Sequence, residues 1–150
     1  MKDNESVASR LIQPETASTS QSKLRVDGKL SEVSTYLIHN NNYIKLRDIA
    51  SLLNGTASQV QISWDQKSGT VSVATGQAYT PTGGELSRLA SNKLTVKETL
   101  SKVTINGQTQ KVPAYLMHNH YYYKMRDLAK YFGFQIDWDA NSKTVVLRTQ

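Results

Sequence analysis

The chain carries the stretch YLIHNNNYIKLRDIA at residues 36–50 and returns to it as YLMHNHYYYKMRDLA at residues 115–129. Nine of these fifteen positions are identical, at a constant offset of 79 residues. A second match follows, because QISWD at residues 61–65 returns as QIDWD at residues 135–139, now at an offset of 74. Self-similarity at this spacing predicts two tandem copies of one module.

The repeat sets the expected domain boundaries. We predict a first copy over residues 23–76, a linker over 77–101 and a second copy over 102–150. Residues 1–22 are polar and rich in Ser and Thr, which predicts a disordered leader. Units of about fifty residues are near the lower limit for an independent core, so we expect the two copies to share one or to exchange strands.

Turn signals divide each copy into strands. Asp27-Gly28 and Asn106-Gly107 each follow an alternating apolar and polar run, which predicts a tight β-hairpin. The run Asn40-Asn41-Asn42 offers residues that tolerate left-handed backbone, so a second tight turn is expected there. Within the linker, residues 80–84 form a Pro and Gly breaker cluster, and residues 85–90 fit either a short helix or an extended strand.

A segment with apolar residues at helical spacing follows the third strand of each copy. Its apolar faces are Ile49, Leu52 and Leu53 in the first copy and Leu128, Tyr131 and Phe132 in the second. Asn54-Gly55 and Gly133 are expected to end the helices. A final hairpin closes each copy. The predicted fold class is α+β, a tandem β-β-β-α-β-β module with antiparallel sheets that each carry one short helix.

The most faithfully repeated side chains are predicted to be structural. Asp48 and Asp127 are expected to cap the helix starts, and the neighbouring arginines to fix the strand-to-helix corners. Trp64 and Trp138 could stack on sugar rings, but packing against the helix is the favoured interpretation. The aspartate after each tryptophan is predicted to be a turn residue. The structural set is Tyr43, Lys45, Arg47, Asp48, Trp64, Asp65, Tyr122, Arg126, Asp127, Trp138 and Asp139.

Composition narrows the function classes. The net charge is +6, but the basic residues are interspersed with acids and form no block, which argues against nucleic-acid binding. The chain has no cysteine, which removes thiol catalysis and cysteine metal sites. Because no apolar run has membrane-spanning length, membrane insertion is not expected. No signal peptide is recognisable, so if the natural protein is exported, we expect that its signal peptide has been removed from this sequence.

Three consecutive tyrosines supply the candidate ligand site. Alternation along a strand sends Tyr122 to one face and Tyr121 and Tyr123 to the other. Together with Lys124 and Lys130, Tyr121 and Tyr123 are predicted to contact a glycan, an anionic wall polymer or a protein partner.

The histidines are weak metal candidates. His118 and His120 would share one face of an extended strand and could bind copper or nickel. The first copy, however, has Asn41 where the second has His120, and no carboxylate is near in sequence. We therefore predict no metal site, no cofactor and no catalytic residue, and we leave open whether these two histidines bind metal.

The string NNYIKLRDIA at residues 41–50, followed by Trp64-Asp65 and the Thr70-Val71 strand, resembles the copper amine oxidase N-terminal-like domain, also called the stalk domain. The second copy matches through residues 122–129 and Trp138-Asp139. The resemblance implies a repeated, noncatalytic module of secreted or wall-associated proteins, mostly from Gram-positive bacteria. In the amine oxidases, the copper and the quinone cofactor belong to a separate catalytic domain.

We therefore expect a noncatalytic extracytoplasmic module at a bacterial cell surface, secreted or wall-associated, that acts as a stalk, spacer or docking unit. Its expected partners are a cell-wall polymer, a glycan or a surface protein, and a homodimer formed by strand exchange fits the exposed strand edges of such modules. One alternative is a dedicated glycan or anionic wall-polymer binding module. Another is a small metal-binding protein or enzyme, which would need a polar site assembled from both copies.

Overall fold

The computed structural model describes residues 15–20, 23–89 and 93–150. These residues form an α+β fold of thirteen strands and two short helices. The strands up to the first helix are β1 (Glu15–Ser20), β2 (Lys23–Val26), β3 (Lys29–Glu32), β4 (Thr35–Ile38) and β5 (Asn41–Lys45). Then come α1 (Leu46–Leu53), β6 (Val60–Asp65), β7 (Thr70–Thr75), β8 (Lys93–Val96), β9 (Glu98–Ile105), β10 (Gln108–Met117), β11 (His120–Lys124), α2 (Met125–Phe132), β12 (Gln135–Asp139) and β13 (Thr144–Arg148).

The strands form two sheets that the two predicted copies share. The larger sheet has the order β6-β7-β9-β10-β11-β5-β4-β1-β8, and the smaller has the order β12-β13-β2-β3. The closing hairpin of the first copy thus joins the opening strand of the second, and the closing hairpin of the second joins that of the first. Both of these junctions, β7 with β9 and β13 with β2, are parallel. The sheets are therefore mixed, and the prediction of purely antiparallel sheets is wrong.

The centre of the larger sheet pairs corresponding strands. In the antiparallel ladder of β5 and β11, Ile44 lies opposite Tyr123, and Tyr43 lies opposite Lys124. Ile44 and Tyr123 are equivalent in the sequence repeat, at the offset of 79. The ladder therefore maps onto itself when the copies are exchanged, as in a two-fold arrangement.

The first strands of the two copies pair with equivalent residues of the strands that follow them. Glu98 lies opposite Tyr115, and at the offset of 79 this is the pairing of Thr19 with Tyr36. Strands β1 and β2 together thus correspond to the single strand β9. The prediction of disorder is wrong for Glu15–Ser20, because these residues pair with both β4 and β8. The remainder of the predicted leader, residues 1–14 and 21–22, lies outside the described residues.

The order of elements in the second copy is the predicted β-β-β-α-β-β. In the first copy the second strand is interrupted between β3 and β4. Strand β9 begins at Glu98, inside the predicted linker, and residues 85–89 form neither a helix nor a strand. Residue 90 lies outside the described part of the chain.

Backbone conformation confirms the first hairpin prediction in each copy. Asp27 and Gly28 have φ values of 49° and 86°, and Asn106 and Gly107 have 51° and 87°. Two successive positive values are what a two-residue type I′ turn requires. The second turn falls one residue earlier than predicted, since its left-handed residues are His39 and Asn40. Asn41 and Asn42 already belong to β5.

Buried side chains pack on both faces of the central strands. One cluster holds the predicted helix faces, with Ile49, Leu53, Leu128 and Phe132 all buried. The other cluster contains four tyrosines in two edge-to-face pairs. Ring centroids lie 5.2 Å apart for Tyr36 and Tyr122 and 5.1 Å apart for Tyr43 and Tyr115. Such pairs contribute about 0.5–1.5 kcal/mol each beyond the area that they bury.

Candidate functional site

The hairpin that follows each helix ends in the same turn. Asp65 accepts hydrogen bonds from the Lys67 amide and the Ser68 hydroxyl, both at 3.0 Å. Asp139 accepts from the Asn141 amide at 3.0 Å and from the Ser142 hydroxyl at 2.8 Å. These bonds agree with the prediction that both aspartates are turn residues, and they fix the position of the tryptophan just before each turn.

The tryptophans themselves are half exposed, Trp64 at 50% and Trp138 at 52%. About half of each tryptophan thus stays open to solvent, whereas the favoured interpretation was packing against the helix. Trp64 shares the strand face of Val60 and Ile62, which are buried, but it lies at the far end of β6. A helix as short as α1 spans about 12 Å, whereas a strand as long as β6 spans about 20 Å, so the helix is too short to cover the whole length of such a strand.

Each tryptophan lines a groove. The first, here called the Trp64 groove, has a volume of about 580 Å³ and the second, the Trp138 groove, about 680 Å³. Each groove combines the strand-to-helix corner and the tryptophan of one copy with the tight turn of the other. The Trp64 groove is lined by Lys45, Arg47, Trp64, Val71, Asn119 and His120, and the corresponding lining of the Trp138 groove is Lys124, Arg126, Trp138, Val145, Asn40 and Asn41.

The connection between the copies lies along the Trp64 groove. The segment of residues 79–87, here called the strap, is tied down through Glu85. This carboxylate accepts hydrogen bonds from the Tyr79 hydroxyl and from the amides of Thr82 at 2.8 Å and Gly83 at 2.9 Å. The Tyr79 hydroxyl and then the Thr82 amide hold the pKa of Glu85 down to about 2. Arg47 donates to the same Tyr79 hydroxyl at 3.3 Å, so the corner arginine is joined to the strap.

A second carboxylate, that of Asp48, also binds the strap. Its side chain is 1% exposed and accepts the Leu86 amide at 2.8 Å. Burial raises the pKa of Asp48, although this hydrogen bond opposes the change. Asp48 and Asp127 lie in the first turns of their helices as predicted. The N-cap residues themselves are Lys45 and Lys124, whose side chains form no cap bond, and Asp48 accepts its hydrogen bond from the strap.

The two grooves differ in charge. In the Trp64 groove, Lys45 and Arg47 are balanced by Asp48 and Glu85. Among the residues that the structure describes, the lining of the Trp138 groove contains four cations and one carboxylate, that of Asp137. We call Lys23, Lys124, Arg126 and Lys143 the groove cations.

Asp137 does not offset the groove cations. Its carboxylate is held by both guanidinium nitrogens of Arg148, at 3.0 Å and 2.9 Å. Within the described ranges, none of the groove cations forms an ion pair. The Trp138 groove is therefore cationic, and the Trp64 groove is close to neutral.

The structure does not bring the predicted ligand residues together. Tyr121 and Tyr123 line the Trp64 groove, Lys124 lines the Trp138 groove, and Lys130 is exposed on α2 outside both linings. Tyr123 is only 1% exposed, and its hydroxyl shares a 2.6 Å hydrogen bond with Ser101. The predicted alternation is confirmed, because Tyr122 packs in the opposite buried cluster.

Sequence reasoning missed Lys23 and Lys143. A signal for Lys143 was available, since it stands where the first copy has Gly69 in an otherwise matching turn. Lys23 could not be found from sequence, because it reaches the groove only through the pairing of β2 with β13, where it lies opposite Thr144.

The histidines occupy separate environments. His118 Nε2 lies 3.0 Å from the Tyr36 hydroxyl, and His39 lies 3.1 Å from Glu15. His120 lines the Trp64 groove, where burial and then the nearby Lys45 lower its pKa. Among the residues that the structure describes, no three His, Asp or Glu side chains gather in a group that could hold a metal ion. In the same part of the chain, no helix has the length and apolarity to span a membrane.

Comparison with known proteins gives one match. A family model, the copper amine oxidase N-terminal domain, matches residues 25–147. The matched range runs from β2 to β13 and includes both tryptophans. No curated protein and no solved structure matches the chain.

Proposed function

The chain belongs to the copper amine oxidase N-terminal domain family, which is noncatalytic and stalk-like, and from this premise we propose that it is an extracytoplasmic module of a bacterial cell surface. It consists of two tandem copies of one unit and serves as a stalk, spacer or docking unit. Its partners are proteins or cell-wall polymers.

The exchange of closing hairpins carries this proposal. Because β7 pairs with β9 and β13 pairs with β2, each copy completes a sheet of the other. A joint made from backbone hydrogen bonds and a shared core bends far less than a flexible linker between two separate domains. Such a joint suits a part that must hold a fixed spacing.

The repeated charged side chains also support a structural role. Arg47 is bonded to Tyr79, and Asp48 is bonded to the Leu86 amide, so both side chains act on the strap. These are the charges that could otherwise be mistaken for a catalytic pair.

Distance measurement between the copies tests the spacer role. The chain has no cysteine, so Gln66→Cys and Ala140→Cys place one spin label in the closing turn of each copy. We expect a single narrow distribution of the distance between the labels. A broad distribution, like that of two domains on a flexible linker, would contradict the proposal.

Location requires a separate test. An antibody against the folded protein should label intact cells that produce it, and external protease should remove the label. Labelling that appears only after the cells are permeabilised would place the protein inside the cell and overturn the proposed location.

A second copy of the chain is one candidate partner. Strands β6 and β8 lie at the two ends of the larger sheet, and β12 and β3 lie at the ends of the smaller one. Exposed edges can pair with another chain. A strand-exchanged homodimer would appear as a doubled mass in sedimentation equilibrium, and a single monomer mass at high protein concentration would rule it out.

The half-exposed tryptophans favour a second candidate function, the binding of a glycan or an anionic wall polymer. Aromatic rings that border a groove are suited to stacking on sugar rings.

A further inference from the structure

We propose that the Trp138 groove binds an anionic polysaccharide, with a sugar ring stacked on Trp138 and its phosphate or carboxylate groups held by the groove cations. The inference rests on the proposed function, since it names the partner class of the same noncatalytic module. Four observations support it.

Charge is the first observation. The groove cations converge on one lining, and the one carboxylate among its described residues, Asp137, is paired with Arg148, which lies outside the lining. Like charges held close together repel one another, so the groove is stabilised when an anion enters it. The protein as a whole carries a diffuse positive charge, but the cations here are concentrated on one surface.

The Trp64 groove provides the second observation, because an anionic group lies near its corner arginine. There the chain supplies its own anion, since Glu85 on the strap is connected to Arg47 through the Tyr79 hydroxyl. Arg126, the counterpart of Arg47, is exposed and forms no ion pair within residues 15–20, 23–89 and 93–150. An external anionic group is therefore expected to occupy the equivalent place in the Trp138 groove.

The third observation is the backbone at Lys143. This lysine has a φ of 53° and lies in the position that Gly69 fills in the other turn, where φ is 64°. Left-handed backbone is unfavourable for a residue with a side chain, and strain of this kind is common at functional sites. A lysine that costs folding energy at the edge of the groove is explained if its charge serves binding.

The fourth observation identifies the ligand as a polymer of sugars. Trp138 is 52% exposed and is therefore open to stacking. The amides of Asn40, Asn41 and Asn42, together with Ser142, line the same groove and can hydrogen-bond to hydroxyl groups. A groove with one exposed indole, several amides and four cations matches sugar rings that carry negative charges.

The test is a titration that follows Trp138 emission in a Trp64→Phe background, together with calorimetry on the unmodified protein. The anionic probes are polygalacturonate, which carries carboxylates, and a glycosylated ribitol-phosphate teichoic acid, which carries sugar rings and phosphates. Neutral dextran and a single-stranded oligothymidylate are the comparison probes. We expect at least one anionic glycan to change the Trp138 emission and to bind at least tenfold more tightly than dextran, with an affinity that falls as salt rises. The two anionic arms show whether carboxylate or phosphate is preferred.

Variants locate the site. Trp138→Ala should weaken binding about tenfold, and Lys143→Gly about fivefold, each with its folded signal retained in circular dichroism. Lys130→Glu is the control, because it changes the net charge at a residue outside both grooves and should leave the affinity within twofold. If Trp138→Ala proves unstable, Lys124→Glu compared with Lys130→Glu gives a pair with equal net charge.

Four results would overturn the inference. The first two are the absence of binding to either anionic glycan and equal binding of dextran. The third is an equal loss of glycan affinity in Lys130→Glu and Lys124→Glu. The fourth is tighter binding of oligothymidylate through the same residues, which would indicate a single-stranded nucleic-acid groove. Failure here would leave the proposed function standing if intact cells are labelled by antibody. Glycan binding by a protein found only inside cells would instead overturn the proposed location.

Discussion

Lys143 and Gly69 occupy the same position in two matching turns, and both have left-handed backbone, with φ values of 53° and 64°. The turns share the same hydrogen bonds around Asp139 and Asp65. Only one of them uses the residue that such backbone favours. The other places a cation beside Trp138.

This difference predicts opposite effects on stability. Lys143→Gly should raise the free energy of unfolding by about 1 kcal/mol, because relief of the left-handed strain exceeds the extra chain entropy of glycine. Gly69→Lys should lower it by a similar amount. Urea denaturation of both variants checks the pair, and a destabilised Lys143→Gly protein would show that the lysine is held without strain. Reduced glycan affinity together with greater stability in Lys143→Gly would mark the position as functional.

The hydroxyls of two adjacent tyrosines should respond differently to removal. The Tyr122 hydroxyl is buried and has no hydrogen-bond partner within the described residues, whereas the Tyr123 hydroxyl is bonded to Ser101. Leaving a buried hydroxyl unpaired costs about 1–3 kcal/mol. Tyr122→Phe should therefore raise the free energy of unfolding, and Tyr123→Phe should lower it by about 1 kcal/mol. A stability loss in Tyr122→Phe equal to that in Tyr123→Phe would contradict this account.

Acid should release the strap from the Trp64 groove. Glu85 has a pKa that is lowered from 4.5 to about 2, so its contribution to stability is present above pH 4.5 and is lost as the pH falls toward 2. Asp48, with a raised pKa, acts in the opposite direction, because its buried charge is unfavourable and protonation relieves it. The two effects can be separated by substitution at Glu85.

Trp64 reports this release. In a Trp138→Phe background, its emission should change between pH 4.5 and 2, the range set by Glu85. Glu85→Gln should already show the low-pH emission at neutral pH. An unchanged pH profile in Glu85→Gln would show that another group controls the strap.

The shared sheets predict that the two copies unfold together. Trp64 reports on the first copy and Trp138 on the second, so Trp138→Phe and Trp64→Phe each leave one reporter. The urea midpoints of the two single-tryptophan proteins should coincide, because β7 pairs with β9 and β13 pairs with β2. Clearly separated midpoints would mean that the copies are independent domains.

Local features of this fold could be predicted from sequence, and non-local ones could not. Asp27-Gly28 and the helix face of Ile49 and Leu53 depend on turn chemistry and periodicity within a few residues. The partners of β7 and β13 are strands of the other copy, far away in the sequence. Nothing in either strand distinguishes its own sheet from that of the other copy.

The candidate site divides in the same way. Trp64 and Trp138 were found from the repeat, but their half exposure could not be, because it depends on tertiary packing around the strand ends. The triple tyrosine suggested an exposed patch, yet Tyr122 and Tyr123 are buried on opposite faces of a sheet that is covered on both sides. Strand β1 was missed because its six residues are mostly polar and pair near the edge of the sheet.

The most direct test of the account is cosedimentation of the protein with Gram-positive cell walls, intact or stripped of anionic polymers, at low and high salt. We expect pelleting with intact walls at low salt that is lost on stripping, reduced by high salt and weakened in Lys124→Glu but not in Lys130→Glu. Absence of pelleting with intact walls at low salt would contradict the claim that this module docks on anionic wall polymers through the Trp138 groove.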